Sequence, residues 1–291
     1  MTDPISQTTQ TVENVASRVV TLERTPQSPE CRSAAFQCHF TNANRNPFLG
    51  WNPEPQTILN FQISDVVLDG EFRGLLNAGG FITGTGYLLP DDFLMGIRVD
   101  ASRLVPVQQA GTIIIGCNVA YRNYFHWCSQ ALPAIDTAVR RIGQDRRITL
   151  VLPQLNAWQE ESLQLLGHGS LPRLTATDPG KQYALDLAEF SQILNGGSAF
   201  ALSEALYGTF TRLRQAVEKL PGAARKLYVA RTDAQTRAMR NEAAVIEEMR
   251  RYGYEIVPPG TLSFTEQVRL FRSASVIVGA HGAGLTNIVF C

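Results

Sequence analysis

The sequence predicts an α/β fold with a mostly parallel sheet. Two apolar runs, Thr112–Ile115 and Ile148–Leu152, have the composition of strands buried on both faces. Helical stretches follow both runs, and the alternation of strand and helix resumes after Pro221-Gly222. Such alternation is typical of a parallel sheet, because each helix returns the chain to the edge where the next strand begins.

Two α/β units are expected, with the boundary at 222/223. The first unit, residues 111–222, has helical patterns at 124–141, 159–166 and 203–220. The second unit, residues 223–291, has strands at 226–230, 254–257 and 276–278. One of its helices begins at Asn241, whose side chain is expected to cap it, and another begins near Ser263. Three strands are fewer than the five or six of a doubly wound domain, so we expect an incomplete second unit.

The part of the chain before residue 111 lacks this alternation. Residues 1–57 are rich in Thr, Gln, Asn and Pro and predict an irregular, poorly ordered arm. Residues 58–110 combine short apolar runs with glycines, which predicts a β-rich segment of short antiparallel strands.

The composition excludes several functional classes. The 291 residues carry 26 basic and 26 acidic side chains, so the chain lacks the positive charge that nucleic-acid binders use. There is no run of about 18 apolar residues and no signal-peptide pattern, so we expect no membrane span. The five cysteines have no metal-ligand spacing, which predicts free thiols. A cytoplasmic location, or a peripheral one at the inner membrane, fits these features.

Motifs for rival enzymes are missing. Gly84-Thr85-Gly86 is followed by Pro90-Asp91-Asp92 instead of a helix, and no Gly-x-Gly-x-x-Gly follows a strand, so a nicotinamide-dependent oxidoreductase is disfavoured. No Gly-x-Ser-x-Gly marks a serine hydrolase. No Asp-x-Asp pair is present to hold a metal on a sugar donor, so neither a metal nor another cofactor is expected.

Several short motifs together resemble glycosyltransferase family 61. The order and spacing of these motifs carry the resemblance, which extends from about residue 65 to the end. They are Asn123-Tyr124-Phe125-His126-Trp127 followed by Leu132-Pro133, Trp158-Gln159-Glu160-Glu161-Ser162-Leu163, Val229-Ala230-Arg231-Thr232-Asp233, Asn241-Glu242, Leu262-Ser263-Phe264-Thr265-Glu266-Gln267 and Val278-Gly279-Ala280-His281-Gly282-Ala283-Gly284-Leu285-Thr286-Asn287.

The resemblance implies a GT-B-like architecture, in which two Rossmann-like halves face each other across a cleft. It also implies a nucleotide-sugar donor and inversion at the anomeric carbon. Eukaryotic members usually carry an N-terminal membrane anchor, so the lack of one here favours a bacterial, polysaccharide-building relative. Members also continue beyond the His-Gly-Ala-Gly segment, so the second half is expected to be truncated.

On the acceptor side, His126 is the candidate base. It follows the first strand of the first unit, and a largely neutral imidazole can accept the proton of a hydroxyl at pH 7. Asn123, Tyr124 and Trp127 are the candidate acceptor-binding residues. The competing interpretation is a histidine hydrogen-bonded inside a helix–sheet interface, and binding of the acceptor without deprotonation also stays open.

On the donor side, a glycine-rich segment follows a buried strand, where backbone amides can approach a phosphate. Arg231 lies at the same edge and could clamp a diphosphate. Glu266 is either a ribose ligand or the second half of a capping box with Ser263. The candidate donor-binding residues are Arg231, Glu266, His281, Gly282, Ala283, Gly284 and Asn287.

The sequence therefore predicts an inverting, metal-independent glycosyltransferase that acts on a nucleotide-sugar donor and a glycan or protein acceptor. The alternative is a non-catalytic relative that still binds nucleotide or glycan. The sugar, the nucleotide, the acceptor and the oligomeric state are not readable from the motifs.

Overall fold

The computed structural model describes residues 10–24, 57–87, 94, 96–108, 111–143, 147–195, 203–222, 224–232 and 239–291. Within these ranges the protein is a mixed α/β structure with one large sheet and one small parallel sheet. The predicted α/β class is therefore confirmed. Cys31, Cys38, Pro90-Asp91-Asp92 and Arg237 lie outside the described residues.

The large sheet joins antiparallel and parallel strands. Its strands are β1 (Arg18–Arg24), β2 (Thr57–Asp69), β3 (Leu75–Asn77), β4 (Gly80–Phe81), β5 (Leu104–Pro106), β6 (Thr112–Ile115), β7 (Ile148–Leu152), β8 (Arg173–Thr175) and β9 (Gln182–Ser191). The main path of the sheet is β4-β3-β2-β9-β6-β7-β8, with β1 paired to β2 and β5 paired to β9. β2 pairs antiparallel with β1, β3 and β9, whereas β6 pairs parallel with β7 and β9.

Strand β9 holds the two parts of this sheet together. It pairs antiparallel with β2 through nine residue pairs from Asn60↔Ser191 to Asp69↔Gln182, and parallel with β6. The segment predicted as β-rich therefore shares a sheet with the first α/β unit. The domain boundaries at 57/58, 110/111 and 222/223 stay predictions.

Two expectations about the first 110 residues need correction. Residues 18–24 form a strand, although an irregular arm was expected there. β2 is one continuous strand of 13 residues instead of several short ones. The reason is tertiary, because most side chains along β2 are buried and its long antiparallel pairing with β9 satisfies the backbone.

The helices pack mainly around the parallel strands. The described α-helices are α1 (Val12–Val15), α2 (Tyr124–His126), α3 (Leu132–Ile142), α4 (Ala157–Leu165), α5 (Glu204–Ala216), α6 (Glu242–Arg251) and α7 (Phe264–Phe271). Short 3₁₀ helices cover Gln192–Asn195, Pro259–Thr261 and Ala283–Phe290.

A π-helical segment, Trp127–Ala131, lies between α2 and α3. The amide of Leu132 donates to the carbonyl of Trp127, five residues back. The next residue, Pro133, has no N–H to continue the regular ladder, which suits a widened turn at this point.

The small sheet has the order β11-β10-β12, all parallel, with β10 (Arg225–Val229), β11 (Glu255–Val257) and β12 (Ala274–Gly279). Its three strands match the number predicted. The predicted side-chain cap at Asn241 is wrong, because that side chain makes no capping hydrogen bond and its backbone is not extended. The capping box of Ser263 and Glu266 is confirmed in both directions.

Aromatic packing joins the small sheet to the large one. Phe290 is fully buried between Phe210 and Phe264, with ring centroids 6.1 and 5.8 Å away and near-perpendicular planes. A carboxylate oxygen of Glu161 accepts the backbone amide of Phe264 at 2.7 Å. That amide belongs to the first residue of α7, so a negative charge from α4 meets a helix N-terminus. These contacts fix the mutual position of the carboxyl edges of the two sheets.

Candidate active site

A cavity of about 420 Å³ lies between the two sheets. The loop after β6 and the start of α4 form one wall, and the residues after β10, β11 and β12 form the other. Ligands of open α/β sheets bind at the carboxyl ends of the strands, and this cavity lies there. Six predicted site residues line it: Asn123, Tyr124, Arg231, Gly282, Ala283 and Gly284.

Arg231 is held in the cavity wall at two points. Its backbone amide donates to a carboxylate oxygen of Glu242 at 2.6 Å, and its guanidinium Nη1 donates to the carbonyl of His281 at 2.8 Å. Glu242 is buried and also lies 3.4 Å from the hydroxyl of Tyr228. The buried carboxylate thus positions the arginine through its backbone and leaves the guanidinium at the glycine-rich segment.

Gly282 is required for space. Its φ of 174° is extended backbone that any residue adopts. A Cβ at this position would lie 1.6 Å from Nη1 of Arg231. Gly284 is also crowded, since a Cβ there would meet Cγ of Pro259 at 3.1 Å and Cγ1 of Val229 at 3.2 Å. Gly282 therefore lets the backbone approach the guanidinium closely, and Gly284 lets it pack against Pro259 and Val229.

Tyr124 and Asn287 connect the two walls of the cavity. The Tyr124 hydroxyl donates to Oδ1 of Asn287 at 2.6 Å, and Nδ2 of Asn287 donates to Oε1 of Gln267 at 2.8 Å and to the carbonyl of Gly284 at 3.1 Å. Asn287 is fully buried. Burial raises the pKa of the Tyr124 hydroxyl well above its usual value, so Tyr124 stays a neutral donor.

His126 does not line this cavity. It is half-buried, and the hydroxyl of Tyr87 lies 2.9 Å from its Nδ1 and 3.0 Å from its Nε2. The rings of Tyr87 and Phe125 both contact it edge-on, with centroids 5.1 Å away. Burial lowers the pKa of His126, and a hydrogen bond with the side chain of Gln130 opposes that shift in part. The imidazole is therefore neutral at pH 7 and able to accept a proton.

Four other predicted residues also lie outside the cavity lining, and one of them is the buried Asn287 described above. Trp127 is completely buried, and its indole Nε1 donates to Oγ of Ser162 at 2.9 Å, so no ring face is open to an acceptor sugar. Glu266 is exposed and caps α7. The side chain of His281 is exposed, and only its carbonyl takes part in the arrangement, by accepting from Arg231.

The sequence analysis missed several residues of the cavity and its support. Arg122, Trp158 and Gln267 line the cavity, and Glu242 positions Arg231. Trp158 and Glu242 stand inside the motifs that carry the family resemblance, so their place in those motifs was an available signal. Gln267 also stands inside one of those motifs, but its hydrogen bond with Asn287 joins α7 to the segment after β12 and was not predicted.

Among the described residues, no group of three or more His, Cys, Asp and Glu side chains is arranged to hold a metal ion. In the same part of the chain, Cys117, Cys128 and Cys291 are free thiols, as predicted. No helix within the described ranges has the length and hydropathy needed to cross a membrane.

Comparison with known proteins adds one match. The family model described as Glycosyltransferase 61 covers residues 124–291, more than half of the chain. It includes both walls of the cavity, from Tyr124 to the glycine-rich segment. No curated protein matches the chain.

Proposed function

The chain belongs to glycosyltransferase family 61, and we propose that it moves a sugar from a nucleoside diphosphate to a hydroxyl of a glycan or protein, with inversion and without a metal. The single observation that carries the proposal is the meeting of Arg231 with Gly282–Gly284 in a cavity between two sheets. A GT-B-like arrangement, with the two sheets as facing halves, is part of this proposal.

The donor diphosphate would lie against the glycine-rich segment. The guanidinium of Arg231 offers several N–H donors in a plane, which suits the oxygens of a phosphate. Gly282–Gly284 precede or begin a 3₁₀ helix, and the first amides of a helix have no partner within it. Arg231 and these amides would stabilise the negative charge that grows on the diphosphate as the glycosidic bond breaks.

The nucleoside end of the donor would lie between Gln267 on one wall and Trp158 on the other. Gln267 and Trp158 line the same cavity as Arg231 and supply an amide and an aromatic surface. Gln267 is oriented by Asn287, which is in turn held by Tyr124. The proposed donor-binding role of Asn287 is therefore positional, since its own side-chain atoms are buried.

We propose His126 as the base that takes the proton of the acceptor hydroxyl, so that the oxygen attacks the anomeric carbon opposite the departing diphosphate. The neutral imidazole suits this role. In the present structure Tyr87 occupies its nitrogen edge, so an acceptor hydroxyl would have to replace the Tyr87 hydroxyl there. Asn123 and Tyr124 would contact the acceptor from the start of α2.

The non-catalytic alternative has one observation in its favour. The imidazole of His126 is not part of the cavity lining, although the donor-side groups are assembled. A protein that binds the nucleotide without transfer would show this combination. Nucleotide binding together with an absence of transfer to any glycan would favour that alternative.

The test of the donor site is calorimetric titration with UDP, GDP, ADP and CDP, each with and without EDTA. We expect saturable binding of one of them, unchanged by EDTA. Arg231→Ala should weaken that binding by about 1.5–3 kcal/mol, because a charge-assisted contact is lost. Exposed Arg251 on α6 provides the matched control, Arg251→Ala. Equal affinity in wild type and Arg231→Ala would remove the arginine from the site.

A further inference from the structure

A second cavity of about 340 Å³ lies at the carboxyl edge of the large sheet. Its walls come from the turn between β2 and β3, the loop after β6, and the residues following β7 and β8. The size falls within the roughly 300–1,000 Å³ of small-molecule sites. None of the residues predicted from the sequence lines it.

The two cavities are neighbours. Arg122 lines both of them, so one begins where the other ends. The residue follows β6, and its guanidinium lies over the ring of Tyr121, 5.5 Å from the ring centroid. A molecule bound in the second cavity would therefore have one end directed past Arg122 toward the proposed donor.

The turn that forms one wall is held in a strained conformation. Phe72 has φ of 59°, in the left-handed region that a bulky side chain rarely adopts. The buried carboxylate of Asp69 fixes the turn by accepting the amide of Glu71 at 3.1 Å and Nε and Nη2 of Arg73 at 2.9 and 2.8 Å. Strain that the surroundings over-determine in this way is typical of ligand sites. Its result here is a phenyl ring at the base of the cavity; Phe72 is 3 % exposed, so the ring supports the wall and has little open face.

The second aromatic side chain of this cavity, Tyr121, is also fixed in place. The carbonyl of Tyr121 accepts Nε2 of the buried Gln159 at 2.9 Å. The rings of Tyr121 and Phe72 contact each other, with centroids 6.2 Å apart. Two aromatic side chains from distant parts of the sequence thus line one pocket, each held by a buried polar side chain.

The polar groups around this pocket have balanced charge. Glu71 is exposed and is paired with Arg73 at 3.1 Å, while Arg122 contributes the opposite charge on the other side. Thr177 adds an exposed hydroxyl. Aromatic walls pack against the C–H faces of a sugar ring, and scattered hydrogen-bonding groups at the rim suit its hydroxyls. No excess of one charge favours an ionic ligand.

We propose that this second cavity binds a neutral oligosaccharide as the acceptor, with the partly exposed Tyr121 as its aromatic wall and the buried Phe72 packed behind it. The proposal rests on the proposed transferase function and moves most of the acceptor contact from α2 to the turn between β2 and β3. Asn123 and Tyr124 then face the end of the acceptor that carries the reacting hydroxyl.

The experiment is saturation-transfer NMR on the full chain with chitotriose, cellotriose, maltotriose and xylotriose. We expect at least one to bind and Thr177→Trp to reduce that binding by about tenfold or more, because the added ring fills the cavity. Thr175→Trp is the matched control, since Thr175 is exposed on β8 and lines neither cavity. The control should bind like wild type.

Measuring nucleotide binding in the same variants distinguishes failure of the acceptor cavity from failure of the proposed donor site. Thr177→Trp should keep the wild-type affinity for the nucleoside diphosphate found by calorimetry, which also shows that the variant is folded. The wild-type protein could also bind a glycan, lose that binding in Thr177→Trp, and bind no nucleotide. That result would support the acceptor cavity and contradict the proposed donor site. Nucleotide binding with no glycan bound, or glycan binding equal in Thr177→Trp and wild type, would overturn the acceptor cavity.

Discussion

Gly282 shows how a single missing side chain shapes the site. The backbone there is extended, so alanine would cause no conformational strain. The close neighbour is the tip of the flexible side chain of Arg231, which can move away. A substitution at this position therefore acts on the guanidinium alone and leaves the fold in place.

We expect Gly282→Ala to weaken nucleoside diphosphate binding by about as much as Arg231→Ala, roughly 1.5–3 kcal/mol. Calorimetry of both single variants and the double variant would measure it. The double variant should be no worse than either single one, because both changes remove the same contact. Gly96→Ala is the control, since nothing lies within 4 Å of a Cβ there. Additive losses would show that Gly282 and Arg231 act separately.

His126 gives a second prediction at this scale. Because burial lowers its pKa below the usual 6.5, the base form should persist to lower pH than for a free histidine. We expect the acid limb of the kcat/KM profile for transfer to lie below pH 6.5, and His126→Ala to abolish transfer with donor affinity kept within a few-fold. Turnover in His126→Ala equal to wild type would remove it from the mechanism.

At the scale of elements, α7 illustrates a competition between two roles for one residue. Glu266 completes the capping box by accepting the amide of Ser263 at 2.7 Å, and Ser263 accepts the amide of Glu266 at 3.2 Å. These hydrogen bonds lower the pKa of the Glu266 carboxyl, so it is ionised at pH 7. The residue lies outside the cavity lining, which leaves its proposed contact with the donor to experiment.

We expect Ser263→Ala to reduce the free energy of unfolding by about 1 kcal/mol, as for other lost N-caps. Glu266→Gln should keep the box, since glutamine can accept the same amide. Neither change should alter nucleotide affinity if Glu266 only caps the helix. Urea denaturation and calorimetry on the same samples would decide. Weaker nucleotide binding in Glu266→Gln at unchanged stability would instead assign Glu266 to the donor site.

At the scale of the whole molecule, a buried polar cluster ties α3, the loop after α4 and α5 together. Asp136, fully buried on α3, accepts Nε2 of His168 at 3.1 Å and the hydroxyl of Thr209 at 2.8 Å, and it forms an ion pair with Arg212. Arg212 matches the charge of Asp136, so little attraction is left for a second cation. Burial, and then the charge of Arg140, lower the pKa of His168 to about 4.

This cluster predicts a dependence of stability on pH. Between about pH 4 and 6.5 an unfolded chain binds a proton at this histidine and the folded protein does not. Protonation of His168 in the unfolded chain therefore costs no stability above pH 6.5. The free energy of unfolding should fall by about 2–3 kcal/mol as the pH drops from 6.5 toward 4. His168→Gln should flatten that part of the curve. Urea denaturation at several pH values tests it, and identical slopes for both proteins would contradict the assignment.

Much of the fold follows from local patterns. The apolar runs predicted β6 and β7 in the parallel part of the large sheet, and the alternation of strand and helix predicted the three strands of the small sheet. The capping box at Ser263 was also readable. These features depend on neighbours along the chain, so a single sequence contains enough information for them.

Strand β9 was not predicted, and the reason is its surroundings. Its side chains, Gln182 to Ser191, mix small, charged and aromatic types without a clean alternation, because both faces are largely covered. Glu189 is a clear case, since its buried carboxylate is paired with Arg141 and accepts Nδ2 of Asn60 at 3.0 Å. The residues that stabilise this strand come from elements distant along the chain. A short stretch of sequence around β9 does not include them, so its local pattern could not predict the strand.

The candidate site divides in the same way. The sequence determined family 61 membership, the α/β class and the glycine-rich segment beside Arg231, because each depends on residue types in a fixed local order. Only the tertiary structure decided that Trp127 is buried and that His126 lies beside Tyr87. It also decided that Glu242 holds the backbone of Arg231, that Gln267 lines the first cavity and that Phe72 lines the second. These facts depend on contacts between segments far apart in the chain, and such contacts form only when the two sheets pack together.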